Sequence, residues 1–450
     1  MIAIVGGGIS GLAAAWYLAK AGKPSILIEK NPRLGGVIET SSWEGCVLEG
    51  GPDSFLAVKP EAAQLARELG MGEELIASND ERRLTYIWKN KRMVTMPDGM
   101  MMMIPTKIAP VVTTPLLSWP TKIRMGLEYF RRPRGPRPER SVSEFIEEHY
   151  GQETVDYLAE PLLSGVYGGD PRALSVNAVL GRFVDMETKY GSLTRAALEA
   201  RKKMPASSEP LFRTFRSGLG SFTAALERGI AGNTRVIHGE VEALEKGWRL
   251  RVNGEWIDAS RVIVATPAYA AAGLLSPLDG ELGRLLDSVD YSSSLTIALV
   301  FRPGRLPEPK GFGFLVPKKE RRTLMAGTWV QNKFPHRAPD GYHVLRGFIG
   351  GAAAKQMIDV PDDAIFAAVY RDIESMLGIR VKADYQRITR WRRSMAQYTL
   401  GHTHRIGEAE RRAKALDGLY LAGNAYSGIG IPDCIRTGRL AAERCLPSPA

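Results

Sequence analysis

Apolar runs of different lengths mark the first thirty residues. Residues 2–5 (IAIV) form a short unbroken apolar run, and after three glycines the alanine-rich segment 12–20 has the apolar content of a packed helix. A second short run, SILIEK, occupies residues 25–30. Short apolar runs bounded by turns are typical of buried parallel strands. The order of these segments predicts a strand–helix–strand unit.

Two later regions have the pattern of strands that join the same sheet. Residues 234–267 alternate apolar and polar side chains around an Asn253-Gly254 turn, which predicts a β-hairpin, and they end in the apolar run VIVAT. LYLAG at 419–423 is again a short apolar run, and a glycine loop and a predicted helix follow it. We expect both runs to be buried parallel strands.

The middle of the chain has a helical part and a strand-rich part. Residues 106–180 carry apolar side chains at three- and four-residue spacing, and Ser141 with Glu144 forms a capping-box pair at a helix start. Residues 271–384 contain the strand-like segments SLTIALVF, GFGFLVP, TLMAGTWV and HVLRGFIG, and a predicted helix at 361–377. A mixed sheet of these strands would cover the first unit and leave a substrate cavity.

The glycines between the first strand and helix predict a dinucleotide-binding turn. Gly6, Gly8 and Gly11 have the spacing G-x-G-x-x-G, which allows a tight turn, close approach of a diphosphate, and close helix–strand packing. The helix N-terminus offers free N–H groups to the phosphates. Glu29 ends the second strand 23 residues after Gly6, where an acidic side chain accepts hydrogen bonds from a ribose.

Features after Glu29 favour FAD over a nicotinamide dinucleotide. Arg33, Gly35 and Gly36 resemble the R-x-G-G element that lies against the FAD diphosphate in glutathione-reductase-like flavoproteins. LEGGPDSF at 48–55 offers a second glycine-rich turn. We therefore predict non-covalently bound FAD. The residues predicted to hold it in this half are Gly6, Gly8, Ile9, Ser10, Gly11, Glu29, Lys30, Arg33, Gly35, Gly36, Gly51, Pro52, Asp53 and Ser54.

Composition excludes several classes of protein. The 450 residues are 44% hydrophobic and 24% charged, as in a globular protein, and no apolar stretch is long enough to span a membrane. Cys46, Cys434 and Cys445 are far apart, which argues for a reducing cytoplasm. The net charge of +11 is spread along the chain without a nucleic-acid-binding motif, so it suits anionic ligands or weak contact with a membrane surface.

Three local features have modest interpretations. The basic run RRPRGPRPER at 131–140 is broken by prolines, so we expect a solvated loop. HTH at 402–404 offers two histidines without a third ligand, so we expect surface side chains and no metal site. MMMM at 100–103 is the nearest approach to a membrane-facing patch, although methionines also pack adaptably beside cavities.

Longer motifs resemble a known family. GPDSFL (51–56), IPTKIAP (104–110), EPLLSGVYGGDP (160–171) and GIGIPDCI (428–435) are similar to the protoporphyrinogen/coproporphyrinogen oxidase family, most closely its soluble Gram-positive type. The resemblance implies a mixed α/β fold with a Rossmann-like FAD domain of the glutathione-reductase/amine-oxidase type, discontinuous in sequence, a mixed-sheet substrate domain and a helical domain. The implied ranges are 1–80, 205–270 and 385–450 for FAD, 81–105, 176–204 and 271–384 for substrate, and 106–175 for the helical domain.

The resemblance also implies site residues. Leu315, Trp329 and Phe348 should line a porphyrinogen pocket, and the backbone of Ser164, Gly165 and Tyr167 should border it. Where membrane-bound relatives place an arginine for a substrate propionate, this chain has Thr85, which leaves the propionate anchor open. On the cofactor side, the resemblance implies Val241 beside the adenine and Trp391, Gly423, Asn424, Gly430, Ile431 and Pro432 near the flavin.

The implied activity is the oxygen-using, six-electron oxidation of a porphyrinogen to the porphyrin in haem biosynthesis, with hydrogen peroxide as second product. The flavin carries the chemistry, so no catalytic side chain is expected. Basic composition favours coproporphyrinogen III, which has more propionates, over protoporphyrinogen IX. A flavin amine oxidase, a carotenoid desaturase and a non-catalytic flavin-binding protein remain alternatives. The expected partners are the porphyrinogen, O2, a weakly contacted membrane surface and, transiently, other haem-pathway enzymes; nucleic acid is not expected. The expected location is the cytoplasm, or the membrane periphery.

Overall fold

The structure is a computed structural model, and it describes residues 1–135, 137–203, 209–321 and 323–446. The strands are β1 Ile2–Val5, β2 Ser25–Glu29, β3 Thr40–Trp43, β4 Cys46–Glu49, β5 Phe55–Leu56, β6 Leu75–Ala77, β7 Thr85–Lys89, β8 Arg92–Thr95, β9 Met100–Met101, β10 Ile104–Pro105, β11 Phe212–Phe215, β12 Thr234–His238, β13 Val241–Glu245, β14 Arg249–Val252, β15 Glu255–Asp258, β16 Arg261–Val264, β17 Tyr291–Phe301, β18 Gly313–Leu315, β19 Ala326–Trp329, β20 His343–Ile349, β21 Tyr385–Ala396 and β22 Leu419–Leu421.

The α-helices are α1 Ile9–Lys20, α2 Glu61–Glu68, α3 Ile108–Thr113, α4 Trp119–Glu128, α5 Val142–Tyr150, α6 Gln152–Thr154, α7 Glu160–Tyr167, α8 Val176–Tyr190, α9 Leu193–Lys203, α10 Leu219–Ile230, α11 Ala268–Leu275, α12 Gly280–Asp287, α13 Val330–Lys333, α14 Gly351–Met357, α15 Asp362–Leu377, α16 His402–Ala415 and α17 Ile431–Cys445. A π-helical segment, Val155–Ala159, joins α6 to α7. Short 3-10 helices lie at Gly72–Glu74, Asp80–Arg82 and Pro335–Arg337.

A five-stranded parallel sheet brings together segments that are far apart in sequence. Its order is β12-β2-β1-β16-β22, and every neighbouring pair is parallel. Both β1 and β2 are fully buried, because α1 and α17 pack on one face while β13–β15, α11, α12 and α16 cover the other. The predicted strand–helix–strand unit and the two later parallel strands are confirmed. Helix α1 begins at Ile9, three residues before the predicted start.

A seven-stranded mixed sheet has the order β21-β17-β20-β19-β18-β7-β8. Strands β7 and β18 pair in parallel, and the other neighbours are antiparallel. One face packs on α15 through an apolar cluster that includes Leu345 and Phe366, and the helix predicted at 361–377 is confirmed. Strand β21, which the sequence division grouped with the FAD segments, is an edge strand of this sheet. The expected boundary at 204–205 lies outside the described residues.

Helices α3 to α9 surround a separate apolar cluster, which we call the helical cluster. The predicted capping box is present, since Ser141 Oγ accepts from the Glu144 N–H at 3.2 Å and the Glu144 carboxylate accepts from the Ser141 N–H at 2.8 Å. Met100 and Met103 are buried in the cluster, so the tetramethionine run serves mainly as packing. Throughout the described residues, no helix is long and apolar enough to cross a membrane.

Over its described residues the basic run at 131–140 is an irregular and mostly exposed loop, as the prolines predicted, but ion pairs tie it to the neighbouring helices. Arg137 Nη1 and Arg140 Nη1 donate to the Glu148 carboxylate at 2.6 and 2.7 Å, and Arg140 Nη2 donates to Glu187 at 2.6 Å. These ion pairs hold the run against α5 and α8, because two carboxylates on packed helices face it. Pro136 within this run lies outside the described residues.

Candidate functional site

The three glycines of the G-x-G-x-x-G motif meet different requirements in the turn after β1. Gly6 has a φ of +106°, a region that L side chains rarely adopt, and a Cβ on Gly11 would lie 1.9 Å from the Gly6 carbonyl oxygen. A Cβ on Gly8 would meet nothing within 4 Å. The fold of the turn thus requires Gly6 and Gly11, and it leaves open space beside Gly8 at the start of α1, where helix N–H groups favour an anionic ligand.

Glu29 lies at the carboxyl end of β2 with its side chain turned to this glycine turn. Its Oε2 accepts a hydrogen bond from the Gly7 N–H at 2.7 Å, and its Oε1 accepts from the Asn31 N–H at 2.8 Å and from Asn31 Nδ2 at 2.6 Å. These donors fix the orientation of the carboxylate and leave it further acceptor capacity. Ile9 and Ser10 are buried in the first turn of α1, whereas Lys30 is exposed.

The predicted R-x-G-G element folds against the glycine turn. The Gly35 N–H donates to the Gly7 carbonyl at 2.8 Å, and Gly35 and Gly36 have φ of +97° and +59°. The guanidinium of Arg33 donates to three carbonyls of its own loop, those of Leu34, Gly36 and Ile38. Arg33 therefore closes the loop that lies over the turn. Val241, expected beside the adenine, is 8% exposed at the start of β13.

Buried charges anchor the second glycine-rich turn, residues 50–54, to the seven-stranded sheet. Asp53 Oδ2 lies 3.1 Å from Lys333 Nζ and 3.6 Å from Arg346 Nη1. Burial by itself would raise the pKa of Asp53, but the charges of Lys333 and Arg346 outweigh it and hold the pKa well below its usual range. The carboxylate is ionised and engaged by protein cations, which makes Asp53 an anchor of the turn. Pro52 and Ser54 beside it are half-buried.

Further contacts from the same sheet hold the backbone of this turn. Arg346 Nε donates to the Glu49 carbonyl at 3.1 Å, and Trp391 Nε1 donates to the Gly50 carbonyl at 2.7 Å. Arg337 and Glu49 form an ion pair at 2.7 Å with side chains only 1% and 2% exposed. These cations were not predicted from the sequence, although Arg346 inside the apolar run HVLRGFIG is a signal for a buried charge.

The cofactor loop, which we define as residues 422–430 after β22, leads into α17. The Gly423 N–H donates to Thr437 Oγ1 at 3.1 Å, and Asn424 Nδ2 donates to the Ser394 carbonyl at 3.0 Å. Gly430 is the N-cap of α17, so the helix start predicted at Gly430, Ile431 and Pro432 is confirmed. The first N–H groups of this helix have no partner within it and are directed toward the end of the loop.

Thr266 lies between the glycine turn and the cofactor loop. A Cβ on Gly6 would lie 3.2 Å from Thr266 Cγ2, and a Cβ on Gly423 would lie 3.7 Å from the Thr266 carbonyl oxygen. Within the described part of the chain, Thr266 Oγ1 is buried without a hydrogen-bond partner. A buried hydroxyl of this kind marks a place for a polar ligand group. Together with the open space at Gly8, it fits a diphosphate-linked cofactor.

Two of the three predicted pocket residues share one face of the seven-stranded sheet. Leu315 pairs with Ala326 and Ala326 pairs with Phe348, so these side chains point the same way. Arg346 precedes Phe348 by two residues on that face, and its guanidinium lies 4.5 Å from the Phe348 ring centroid. Since Arg346 also contacts the turn at 50–54, the face that carries Leu315 and Phe348 covers that turn.

Trp329 lies on the opposite face of the sheet. It pairs with Leu345, is 5% exposed, and belongs to the apolar cluster under α15. Side chains alternate along a strand, so Trp329 and Ala326, three residues apart in β19, point to opposite faces. The structure therefore brings Leu315 and Phe348 together and separates Trp329 from both.

The last turn of α7 lies near the start of α17. Ser164 is buried, whereas Gly165 is exposed and a Cβ on it would meet nothing within 4 Å. Burial raises the pKa of Tyr167 to about 12, and the charge of Asp433 in the first turn of α17 adds to the effect. The predicted substrate-facing residues of α7 thus lie close to the helix that follows the cofactor loop.

The HTH segment is not the pair of surface histidines that was expected. His402 is 2% exposed and its ring stacks on Tyr398 with centroids 3.9 Å apart, whereas His404 is exposed. Burial lowers the pKa of His402 to about 4, so the ring is neutral at physiological pH. Over the described ranges, no group of three His, Cys, Asp or Glu side chains is placed to hold a metal ion.

Fold and site together define a flavin-dependent oxidoreductase with a dinucleotide-binding sheet. The family described as flavin containing amine oxidoreductase matches residues 9–446. The chain belongs to this family and, within it, to the protoporphyrinogen/coproporphyrinogen oxidases, as the sequence motifs predicted.

Similarity to individual proteins covers nearly the whole chain. The coproporphyrinogen III oxidase of Bacillus subtilis (strain 168) is 36% identical over 99% of this chain and 97% of its own length. The protoporphyrinogen oxidase 1 of Spinacia oleracea chloroplasts is 29% identical over 96% of this chain and 81% of its own. A crystal structure from Exiguobacterium sp. 255-15, provisionally described as a protoporphyrinogen oxidase, has a TM-score of 0.88 at 30% identity and covers 98% of each chain.

Proposed function

We propose that this chain is an FAD-dependent oxidase that converts a porphyrinogen to the porphyrin in haem biosynthesis, with O2 as electron acceptor and hydrogen peroxide as second product. The observation that carries the proposal is the 36% identity, over 99% of the chain, to a relative named coproporphyrinogen III oxidase. Two further bacterial relatives share that name at 30% and 28% identity over 99% of the chain. This similarity favours coproporphyrinogen III over protoporphyrinogen IX.

The residues of the site suit FAD in particular. The glycine turn and the N-terminus of α1 would hold the diphosphate, Glu29 would accept from ribose hydroxyls, and Thr266 Oγ1 would meet a polar group of the cofactor. The cofactor loop and the first turn of α17 would border the flavin ring. Bound FAD supplies a two-electron acceptor that O2 can reoxidise.

In this proposal the protein's own side chains bind and orient the substrate. Leu315 and Phe348 would offer an apolar surface to a macrocycle, and the open space at Gly165 leaves room beside it. Asp53 and Arg346 hold the turn at 50–54 against the sheet, which fixes the distance between this surface and the cofactor. In this proposal the segments around the five-stranded sheet bind FAD, the seven-stranded sheet covers the substrate, and α3–α9 form the helical part.

A weak contact with an anionic membrane surface is also part of the proposal. The membrane face, which we define as Trp119, Ile123, Leu127 and Phe130, follows one side of α4 and ends in the turn after it, with these residues 59–73% exposed. Lys122 Nζ lies 4.8 Å from the Trp119 ring, and basic residues follow at 131–134. An apolar helix face bordered by cations is typical of interfacial helices. Transient contact with other haem-pathway enzymes and a cytoplasmic location stay predictions.

The test is turnover of the two candidate substrates. Anaerobically prepared coproporphyrinogen III and protoporphyrinogen IX are offered separately with O2, and porphyrin fluorescence and peroxide are followed. We expect a higher kcat/KM for coproporphyrinogen III. A higher value for protoporphyrinogen IX would overturn the substrate assignment, and no turnover of either by the flavin-loaded protein would overturn the function. A benzylamine assay would then test the amine-oxidase alternative.

A further inference from the structure

We propose that Gln397 and Tyr398 are positioning residues that fix the substrate-facing end of α7 to the cofactor loop. The inference rests on the proposed function, because it assigns a task in binding to two residues whose side chains bond to protein groups of the site. It arises from one observation: two consecutive buried polar side chains, at the end of β21, hold two different parts of the site.

Tyr398 bridges two points within the cofactor loop. Its side chain is buried, its hydroxyl donates to the Asn424 carbonyl at 2.8 Å, and the same oxygen accepts from the Gly428 N–H at 2.8 Å. Gly428 has a φ of +117°, and a Cβ there would lie 2.3 Å from Asp433 Cγ. One hydroxyl therefore sets the shape of the loop that delivers the N-terminus of α17.

Gln397 holds the end of α7. Its Nε2 donates to the carbonyl of Tyr167, the last residue of that helix, at 2.7 Å, and it lies 3.0 Å from Ser292 Oγ. Carbonyls in the last helical turn have no partner within the helix, so Gln397 supplies a donor to one of them. A Cβ on Gly169 would lie 2.0 Å from Gln397 Oε1, which shows how closely the chain after α7 packs on this side chain.

The backbone of the pair is fixed independently of these side chains. The Gln397 N–H donates to the Asp290 carbonyl at 2.8 Å, and the Ser175 N–H donates to the Tyr398 carbonyl at 2.7 Å. The Tyr398 ring stacks on His402 at an interplanar angle of 15°. Since the paired strand β21 leads directly into this segment, Gln397 and Tyr398 form a rigid link between α7 and the cofactor loop.

The two residues should have separable effects. Tyr398→Phe keeps the ring and its stacking but leaves the Asn424 carbonyl and the Gly428 N–H unpaired, so the N-terminus of α17 moves relative to the flavin. We expect weaker FAD binding by on the order of tenfold, within the net contribution of the two hydrogen bonds lost, and a more negative flavin midpoint potential. Gln397→Leu removes the donor to the Tyr167 carbonyl and to its neighbours Ser292 and Met395, and it leaves the cofactor loop bonded to Tyr398. We therefore expect a several-fold rise in KM with the flavin potential unchanged.

Tyr150→Phe is the matched control. Tyr150 is a fully buried tyrosine of the helical cluster, and its hydroxyl lies 2.9 Å from Thr194 Oγ1. The same change there also removes a buried hydrogen bond, so it should lower the Tm but leave FAD affinity, flavin potential and KM as they are. A merely structural role of Tyr398 would give this same result.

The experiment measures FAD affinity and midpoint potential on the full-length protein without substrate, and then kcat and KM with coproporphyrinogen III. Because the flavin measurements need no turnover, failure of the proposed function leaves them interpretable. The inference is overturned if Tyr398→Phe changes only the Tm, or if Gln397→Leu leaves KM unchanged. If Tyr398→Phe does not fold, 3-fluorotyrosine is incorporated at position 398 instead, because fluorine alters the hydrogen-bonding strength of the hydroxyl. The inference then requires the flavin potential to shift. The same label at Tyr150 is the control and must leave the flavin potential unchanged.

Discussion

Gly8 and Gly11 belong to the same turn but tolerate substitution differently. Gly8 has ordinary extended backbone angles, φ −68° and ψ 178°, and open space where a Cβ would lie. Gly8→Ala should therefore fold with a stability within about 0.5 kcal/mol of the parent while FAD binding weakens at least roughly tenfold, because the methyl group occupies the ligand's space. Gly11→Ala places its methyl 1.9 Å from a backbone oxygen and should cost on the order of 3 kcal/mol or more.

Urea unfolding of the flavin-free proteins and titration with FAD separate the two effects. A Gly8→Ala protein that binds FAD like the parent would contradict the placement of the diphosphate beside Gly8. A Gly11→Ala protein of normal stability would contradict the geometry of the turn itself.

Individual residues also show the limits of sequence reasoning. The positions of Gly6, Gly8, Gly11 and Glu29 followed from spacing because the dinucleotide turn is a local structure. The role of Asp53 as an anchor did not, since its partner Lys333 is 280 positions away along the chain. Trp329 was grouped with the pocket because a short strand motif does not reveal which of its alternating faces is covered.

At the scale of elements, one acidic side chain fixes the start of α4. Glu153 accepts hydrogen bonds from Ser118 Oγ and Thr121 Oγ1, both at 2.6 Å, and from Lys89 Nζ at 2.9 Å. Burial would raise its pKa, but these hydrogen bonds lower the pKa to about 2. A carboxyl group whose pKa is lowered by folding stabilises the fold when the pH is above its pKa in the unfolded chain, 4.5. This contribution is lost as the pH falls toward the folded-state pKa of about 2.

Glu153→Gln should therefore be less stable than the parent by about 1–2 kcal/mol at pH 7, and the difference should shrink below pH 4.5 and vanish near pH 2. Urea midpoints across this pH range measure it. Glu443→Gln, at an exposed pair with Arg439, serves as control and should change stability by less than about 0.5 kcal/mol at any pH. A difference for Glu153→Gln that stays constant with pH would rule out the charged form as the stabilising one.

The membrane face on α4 makes a prediction of its own. Trp119→Ser should weaken cosedimentation with phosphatidylglycerol vesicles by roughly tenfold, because it removes the largest apolar side chain of that face. Trp256→Ser is the matched control: this tryptophan is also exposed and also lies 4.8 Å from a cation, Arg249, but it belongs to β15 on the five-stranded side. Equal losses for both variants would show that vesicle binding does not depend on this helix.

Helix starts and ends that depend only on a short stretch of sequence were predictable. Whether a helix face is buried depends on distant segments that pack on it, and this was harder to predict. The capping box at Ser141, α15 and the start of α17 follow from local signals and are confirmed. The membrane face did not emerge from the sequence, because periodicity shows that a helix has an apolar side but not whether another element covers it. For the same reason the run at 100–103 left a membrane-facing patch and adaptable packing both open, and the burial of Met100 and Met103 favours packing.

At the scale of the whole molecule, the cofactor site depends on segments that meet only in the folded chain. The parallel pairing of β1 with β16 and of β16 with β22 brings the glycine turn and the cofactor loop together, although they come from opposite ends of the sequence. The turn at 50–54 is held instead by contacts from β20 and β21. The sequence predicted this assembly because apolar strand-like runs recur beside each glycine-rich segment. It could not predict the ion pairs and the Tyr398 contacts that hold the segments in register.

This architecture predicts how the molecule responds to removal of its cofactor. In the proposed function FAD binds the folded state, so saturation at about a thousand times its Kd should add roughly 4 kcal/mol to the free energy of unfolding. If the three segments share this ligand as proposed, hydrogen exchange in the turn at 6–11, the turn at 50–54 and the loop at 422–430 should all accelerate together when FAD is stripped. Helices α5 and α8, which lie in the separate helical cluster, provide the internal reference and should exchange as before. Acceleration confined to residues 6–11 would mean that the other two segments are held by protein contacts alone, and acceleration in α5 or α8 would mean that FAD stabilises the entire chain as one cooperative unit.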